Sequence, residues 1–147
     1  MPTHYDGTPA ERRALDAFIK LSRAAETAST RINAHLHQHD LTISQFGVLE
    51  ALYHLGPLQP SELAAKILKS TANLTTVLDN LERRHLVERH RRTDDRRRLD
   101  VHLTDAGHAL VHRLLPDHVR GVVAFFDVLT AEEQKQLGHL CRAVGTQ

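Results

Sequence analysis

The sequence is poor in the features that mark several large classes of protein. Trp is absent, aromatic residues make up 4% of the 147, and there are only seven Gly and five Pro, too few for the turn-rich chain of an all-β protein. A lone cysteine, Cys141, excludes an intrachain disulfide and a paired-cysteine zinc knuckle. No apolar run approaches the roughly 20 residues that a membrane-spanning helix needs. The opening stretch, Met1-Pro2-Thr3-His4-Tyr5-Asp6, lacks the charged-then-apolar pattern of a secretory signal, so a cytoplasmic location without membrane association is expected. Gly-rich phosphate loops, nucleophile elbows and metalloprotease patterns are missing too, so neither catalytic residues nor a cofactor is expected.

What is present is the composition of one folded unit, 41% hydrophobic and 25% charged, long enough to bury a core without disulfides or metals. The net charge of +1 conceals a concentration. Between Glu82 and Arg98 stand eight Arg against four acids, a net of +4, so the other 130 residues carry −3. A short basic stripe on a nearly neutral body is the footprint of a polyanion partner, or else a solvated charged face.

Apolar spacing predicts one long amphipathic helix from Ala10 to about His39, with Leu15, Phe18, Ile19, Ala25, Ile32 and Leu36 on its face. Thr42-x-x-Gln45 is a capping box opening a second helix, buried through Phe46, Leu49, Leu52 and Tyr53 and stopped by Gly56-Pro57. A third helix starts near Pro60. Ser70 or Thr71 caps a fourth that runs to about Arg84, with Leu74, Val77, Leu78 and Leu81 inward. Two short helices joined by so few residues are a helix-turn-helix. Leu86–Arg92 and Arg98–Leu103 then read as two strands around the polar tip Thr93–Arg97. Thr104 caps a fifth helix, which Pro116 should bend. Thr130-x-x-Glu133 opens a last helix with Leu137, Leu140, Cys141 and Val144 expected inward. The order ααααββαα is a mostly helical, winged helix-turn-helix chain. Residues 42–103 form its DNA-binding part; residues 10–40 and 104–147 supply dimerisation helices.

The side of the fourth helix away from its leucines carries Ser70, Thr71, Asn73, Thr75, Thr76 and Asn80. Short hydrogen-bonding side chains suit a helix pressed against base edges and phosphates of double-stranded DNA, where Lys and Glu would crowd a plain solvent face. The hairpin adds Arg91, Arg92, Arg96, Arg97 and Arg98, whose guanidinium groups suit a narrow minor groove. Asp94 and Asp95 fit beside phosphates only if one of them pairs with an Arg in a bidentate fork and fixes its aim.

The stretches Leu63-Ala64, Leu81-Glu82-Arg83-Arg84-His85-Leu86-Val87, Asp95-Arg96-Arg97 and Leu103-Thr104-Asp105-Ala106-Gly107 resemble the multiple antibiotic resistance regulator (MarR) family. The resemblance spans essentially the whole chain. It implies a homodimeric transcription factor, commonly a repressor, on a short palindromic operator, often released by an aromatic or phenolic molecule. It also implies that Arg97 enters the minor groove and that Asp95 steers it. His85 departs from the family by replacing the Gly usual after the fourth helix, so a left-handed cap there would be slightly strained. The segment from Leu68 to Thr75 resembles a branch that responds to quinone-like electrophiles.

Twelve His raise a zinc-responsive alternative: His35, His37 and His39 cluster, and His108 and His112 lie four apart, with Asp40, Glu50 or Asp105 as further ligands. The plainer reading is that these His are solvated, and no metal site is assigned. Cys141, on an apolar face, is expected in the core or a subunit interface rather than as a redox sensor. His35, His39, Phe46 and Tyr53 are candidate lining for an effector crevice, by analogy with the family. Finally, Phe18, Ile19, Val122, Val123, Phe125 and Phe126 are more apolar surface than one small winged helix can cover, so the terminal helices should pair two chains. A winged helix used for protein contact is the remaining alternative, and it would not need an Arg-rich wing.

Overall fold

In the computed structural model, described over residues 2–67 and 71–147 and by backbone alone at Thr71 and Ala72, the chain runs α1 (Pro9–Asn33), a 3₁₀ helix (Ala34–His39), α2 (Ile43–Leu55), α3 (Pro60–Ile67) and α4 (Thr71–Arg83). The strands β1 (Val87–Arg91) and β2 (Leu99–Leu103) follow, then α5 (Asp105–Phe126) and α6 (Ala131–Gly145). This is the winged helix-turn-helix that the sequence predicts, mostly helical with one small sheet. Leu68, Lys69 and Ser70, the connection between the third and fourth helices, lie outside the described residues, and with them the expected Ser70 cap.

Local chemistry sets the helix starts. Thr42 accepts from the Gln45 N–H while Gln45 returns a bond to the Thr42 N–H, and Thr130 and Glu133 repeat the arrangement. Thr8 and Glu11 form a third such box, with Pro9 at the first helical position, a signal present in Thr8-Pro9-Ala10-Glu11 but passed over by periodicity. The first helix does not stay α-helical to His39. Its last six residues tighten into the 3₁₀ helix, which buries Leu36, and Asp40 at φ +52 then reverses the chain.

Two units form, Met1–Ala34 with His118–Gln147, and His35–Asp117. Among the described residues, every buried apolar side chain lies between Leu36 and Leu114, in the second unit. Its core joins Phe46, Leu49 and Leu52 of α2 to Leu63 of α3, Leu74, Leu78 and Leu81 of α4, and Val87 and Val101 of the hairpin. The strands pair antiparallel, Val87 opposite Leu103 and Arg91 opposite Leu99. Leu58 adds a bridge on the far side of β2, exchanging both backbone bonds with Val101 at 3.2 and 2.8 Å.

The first unit contrasts with this. None of its described residues is buried, and Phe18, Val119, Val123, Leu140 and Val144 are each more than half exposed. The expectation that Leu137, Leu140, Cys141 and Val144 face inward is therefore corrected: all four are exposed on α6 in the single chain. Periodicity marks the apolar face without telling whether the chain itself buries it.

Candidate nucleic-acid interface

Helix α4 is fixed by its leucines. Leu74, Leu78 and Leu81 are buried against α2, α3 and β1, so the helix rotation is set and Asn73, Thr75 and Thr76 are left exposed on the other side. Asn80 is half-buried, and its side-chain oxygen accepts from Arg83 at 2.9 Å. Of the six helix positions selected from sequence, Ser70 is outside the described residues, and so is the side chain of Thr71.

The basic stripe is less uniform than its charge count. Arg89 is spent on structure: its Nε donates to Glu82 at 2.7 Å and its Nη2 to Asp79 at 2.6 Å, tying β1 to α4. The hydrogen bonds it donates to Asp79 and then Glu82 raise its pKa above the ordinary guanidinium value, so it is a permanent cation within an acidic clasp. Arg91 reaches across the hairpin to the Arg96 carbonyl at 2.9 Å. Arg92 forks onto both oxygens of Asp94 at 2.9 Å, which raises the Arg92 pKa and lowers that of Asp94. The bidentate pair anticipated in the wing is thus Arg92–Asp94.

Asp95 works differently. Its carboxylate accepts the Arg97 backbone N–H at 3.0 Å and touches the Arg97 guanidinium only at 3.4 Å, while Arg98 stands 3.9 Å from its second oxygen. The Arg98 N–H closes the turn onto the Asp95 carbonyl at 2.9 Å. Arg97 is left with a side chain 94% exposed. Arg96 is exposed as well, and its guanidinium makes no bond among the described residues. The wing therefore has two layers: Arg91, Arg92, Asp94 and Asp95 build the turn, and Arg96 and Arg97 project from it.

The candidate effector residues separate into two groups. His35 meets Phe46 edge-on, with ring centres 6.4 Å apart, and the His39 carbonyl accepts from Arg84. Tyr53 lies against His108 at 4.7 Å and its hydroxyl is 3.1 Å from His112 Nδ1. Among the described residues no three His, Cys, Asp or Glu side chains come together as a metal-binding set. No helix among them is long and apolar enough to cross a membrane.

Comparison with known proteins gives one family and one fold. A model of the MarR family matches residues 41–99, from the start of α2 to the start of β2. The HTH-type transcriptional regulator MhqR of Bacillus subtilis is 34% identical over 90% of this chain and 92% of its own. Sco3205 of Streptomyces coelicolor, a MarR family transcriptional regulator solved in complex with DNA, superposes with a TM-score of 0.84 at 27% identity, over 97% of this chain and 90% of that one. NadR in complex with 4-hydroxyphenylacetate gives a TM-score of 0.76 at 26% identity, over 99% of both chains.

Proposed function

The chain belongs to the MarR family of transcriptional regulators, not to an enzyme family, and from that premise we propose that it is a homodimeric repressor of a palindromic operator. Residues 42–103 carry the DNA contacts in this reading, and 10–40 with 104–147 pair the two chains. Asn73, Thr75 and Thr76, with Ser70 and Thr71 ahead of them, enter the major groove; Arg97, with Arg96, enters the neighbouring minor groove. Asn80, Arg91, Arg92, Asp95 and Arg98 border these contacts.

The single observation that carries the reading is the division of labour in the wing. A turn braced from within by Arg92–Asp94 and by the Arg91 guanidinium on the Arg96 carbonyl leaves the 94%-exposed Arg97 aimed outward. A surface that was merely solvated would not need its cations sorted into braces and projections. Two copies joined through the exposed apolar faces of the terminal helices would set two such surfaces about one DNA turn apart, roughly 34 Å.

Release by a phenolic or other aromatic molecule completes the proposal. The complex of NadR with 4-hydroxyphenylacetate supports that chemistry, and His35, His39, Phe46 and Tyr53 are the residues to probe for it.

The test begins with selection of duplexes from a randomised pool by the full-length protein. On the recovered duplex, Arg97→Ala should weaken binding about ten-fold and reduce the salt slope of log K by about one. Unchanged affinity in Arg97→Ala removes the wing assignment.

A further inference from the structure

The C-terminal end of α4 is gripped from two sides by residues that are not among its proposed DNA contacts. The helix closes in a Schellman turn: the Leu86 N–H donates to the Leu81 carbonyl at 3.0 Å and the His85 N–H to that of Glu82 at 2.9 Å. His85 takes the left-handed conformation, φ +58, that the turn requires. From this corner the Arg84 guanidinium reaches 44 and 45 residues back along the chain, one terminal nitrogen donating to the Asp40 carbonyl at 2.7 Å and the other to that of His39 at 3.2 Å. On the opposite side the Thr104 hydroxyl donates to the His85 carbonyl at 2.7 Å, and the Thr104 N–H to that of Leu86 at 3.2 Å.

The two gripped segments share a property. His39 and Asp40 follow closely on the point where the chain enters the winged-helix unit, and Thr104 caps α5, the helix along which the chain leaves it. The end of α4 is thus tied within its own unit to both segments by which that unit joins the rest of the protein. Arg84 is an exposed cation within the basic stripe, which by charge alone would make it a phosphate ligand. Its two terminal nitrogens are committed to neutral backbone oxygens instead.

Resting on the reading of α4 as the helix that enters the major groove, we infer that Arg84 is a positioning residue: it holds the C-terminal end of α4 to the 39–40 corner and so sets the helix's aim, governing selectivity among DNA sequences rather than attraction to phosphate. A guanidinium can span two carbonyls with two separate nitrogens; an ammonium keeps the charge but gathers its donors on one atom. Arg84→Lys therefore separates the two roles.

The experiment measures affinity of the full-length protein for the selected duplex and for a scrambled duplex of equal length, each over a series of salt concentrations. Arg84→Lys should lower the ratio of the two affinities about ten-fold while leaving scrambled-duplex affinity and salt slope at wild-type values. A wild-type ratio in both Arg84→Lys and Arg84→Gln overturns the inference. So does a loss in Arg84→Gln that is equal on both duplexes, lowers the slope by about one and is restored in Arg84→Lys, because that pattern marks a phosphate ligand. If Arg84→Lys fails to fold, Thr104→Ser and Thr104→Val read the second grip in the same assay. Selectivity should fall in the Val variant and be kept in the Ser variant, and equal selectivity in the two defeats the idea. Asn73→Ala and Thr76→Ala test the underlying reading separately. Unchanged selectivity in these removes α4 as the reading helix and the positioning role with it; reduced selectivity in these, beside an unaffected Arg84→Lys, keeps the helix and rejects Arg84.

Discussion

The two units of this chain solve the burial problem differently. The winged-helix unit closes its own core, with Leu49, Leu63, Leu74, Leu81 and Val101 wholly removed from solvent. The other unit, residues 1–34 with 118–147, buries no described residue and leaves Val123 61% and Phe18 65% exposed. Apolar surface of that size stabilises nothing until another surface meets it. One unit is held together by contacts within the chain, and the other, in the proposed dimer, by contacts between chains.

That contrast can be broken most sharply at Gly107. A Cβ there would lie 2.1 Å from the Leu86 carbonyl oxygen, and the Leu86 backbone is locked by the Schellman turn and by Thr104. Helix propensity alone would favour Ala over Gly by about 1 kcal/mol. The clash should override this, and Gly107→Ala should destabilise by about 3 kcal/mol or more, read as a melting temperature lowered equally at all protein concentrations. An unchanged melting temperature would show that the close approach has room to relax.

A charge in the other unit should act differently. Val123→Asp should leave the winged-helix unit folded and shift sedimentation from dimer to monomer. Affinity for the palindromic duplex should fall about a hundred-fold, because the two half-sites are no longer bound by one particle. A variant that remains a dimer with full affinity would erase the distinction between the units.

The smallest effect lies at the wing. The hydrogen bond from Arg92, helped by its charge, holds the Asp94 carboxyl below the ordinary aspartate range. A lowered folded-state value means that this contribution is fully present above the ordinary aspartate pKa and is lost as pH falls through the lowered one. Following the Asp94 carboxyl carbon by NMR should give a midpoint below that of an unstructured peptide, shifting back up in Arg92→Gln. The gain in stability is slight, because the pair is exposed.

What could be read in the sequence divides along the same line. The Thr42 and Thr130 boxes, the Gly56 stop and the alternation of Leu99, Val101 and Leu103 concern neighbours within a few residues, and they appear in the structure as anticipated. The left-handed cap that a side chain would strain is present at His85, φ +58. Distant partners were not legible. The Arg89 clasp spans seven and ten residues, the Arg84 grip more than forty, and nothing in a charge count distinguishes either Arg from the projecting Arg97. The Leu58 bridge to Val101 is a backbone pairing across more than forty positions and leaves no side-chain pattern. Cys141 shows the limit most plainly: its spacing marks an apolar face, yet it is exposed, so no described residue buries it.

The bracing of the wing has a thermodynamic corollary. A flexible basic loop must give up its disorder when it docks, and that loss subtracts from affinity. Here the Arg92–Asp94 fork, the Arg91 bond to the Arg96 carbonyl and the Asp95 carboxylate on the Arg97 N–H impose the turn's shape in the unbound chain. What is left to freeze is mainly the side-chain rotors of Arg96, Arg97 and Arg98, so preorganisation makes the approach to a groove closer to a rigid insertion than to folding upon contact.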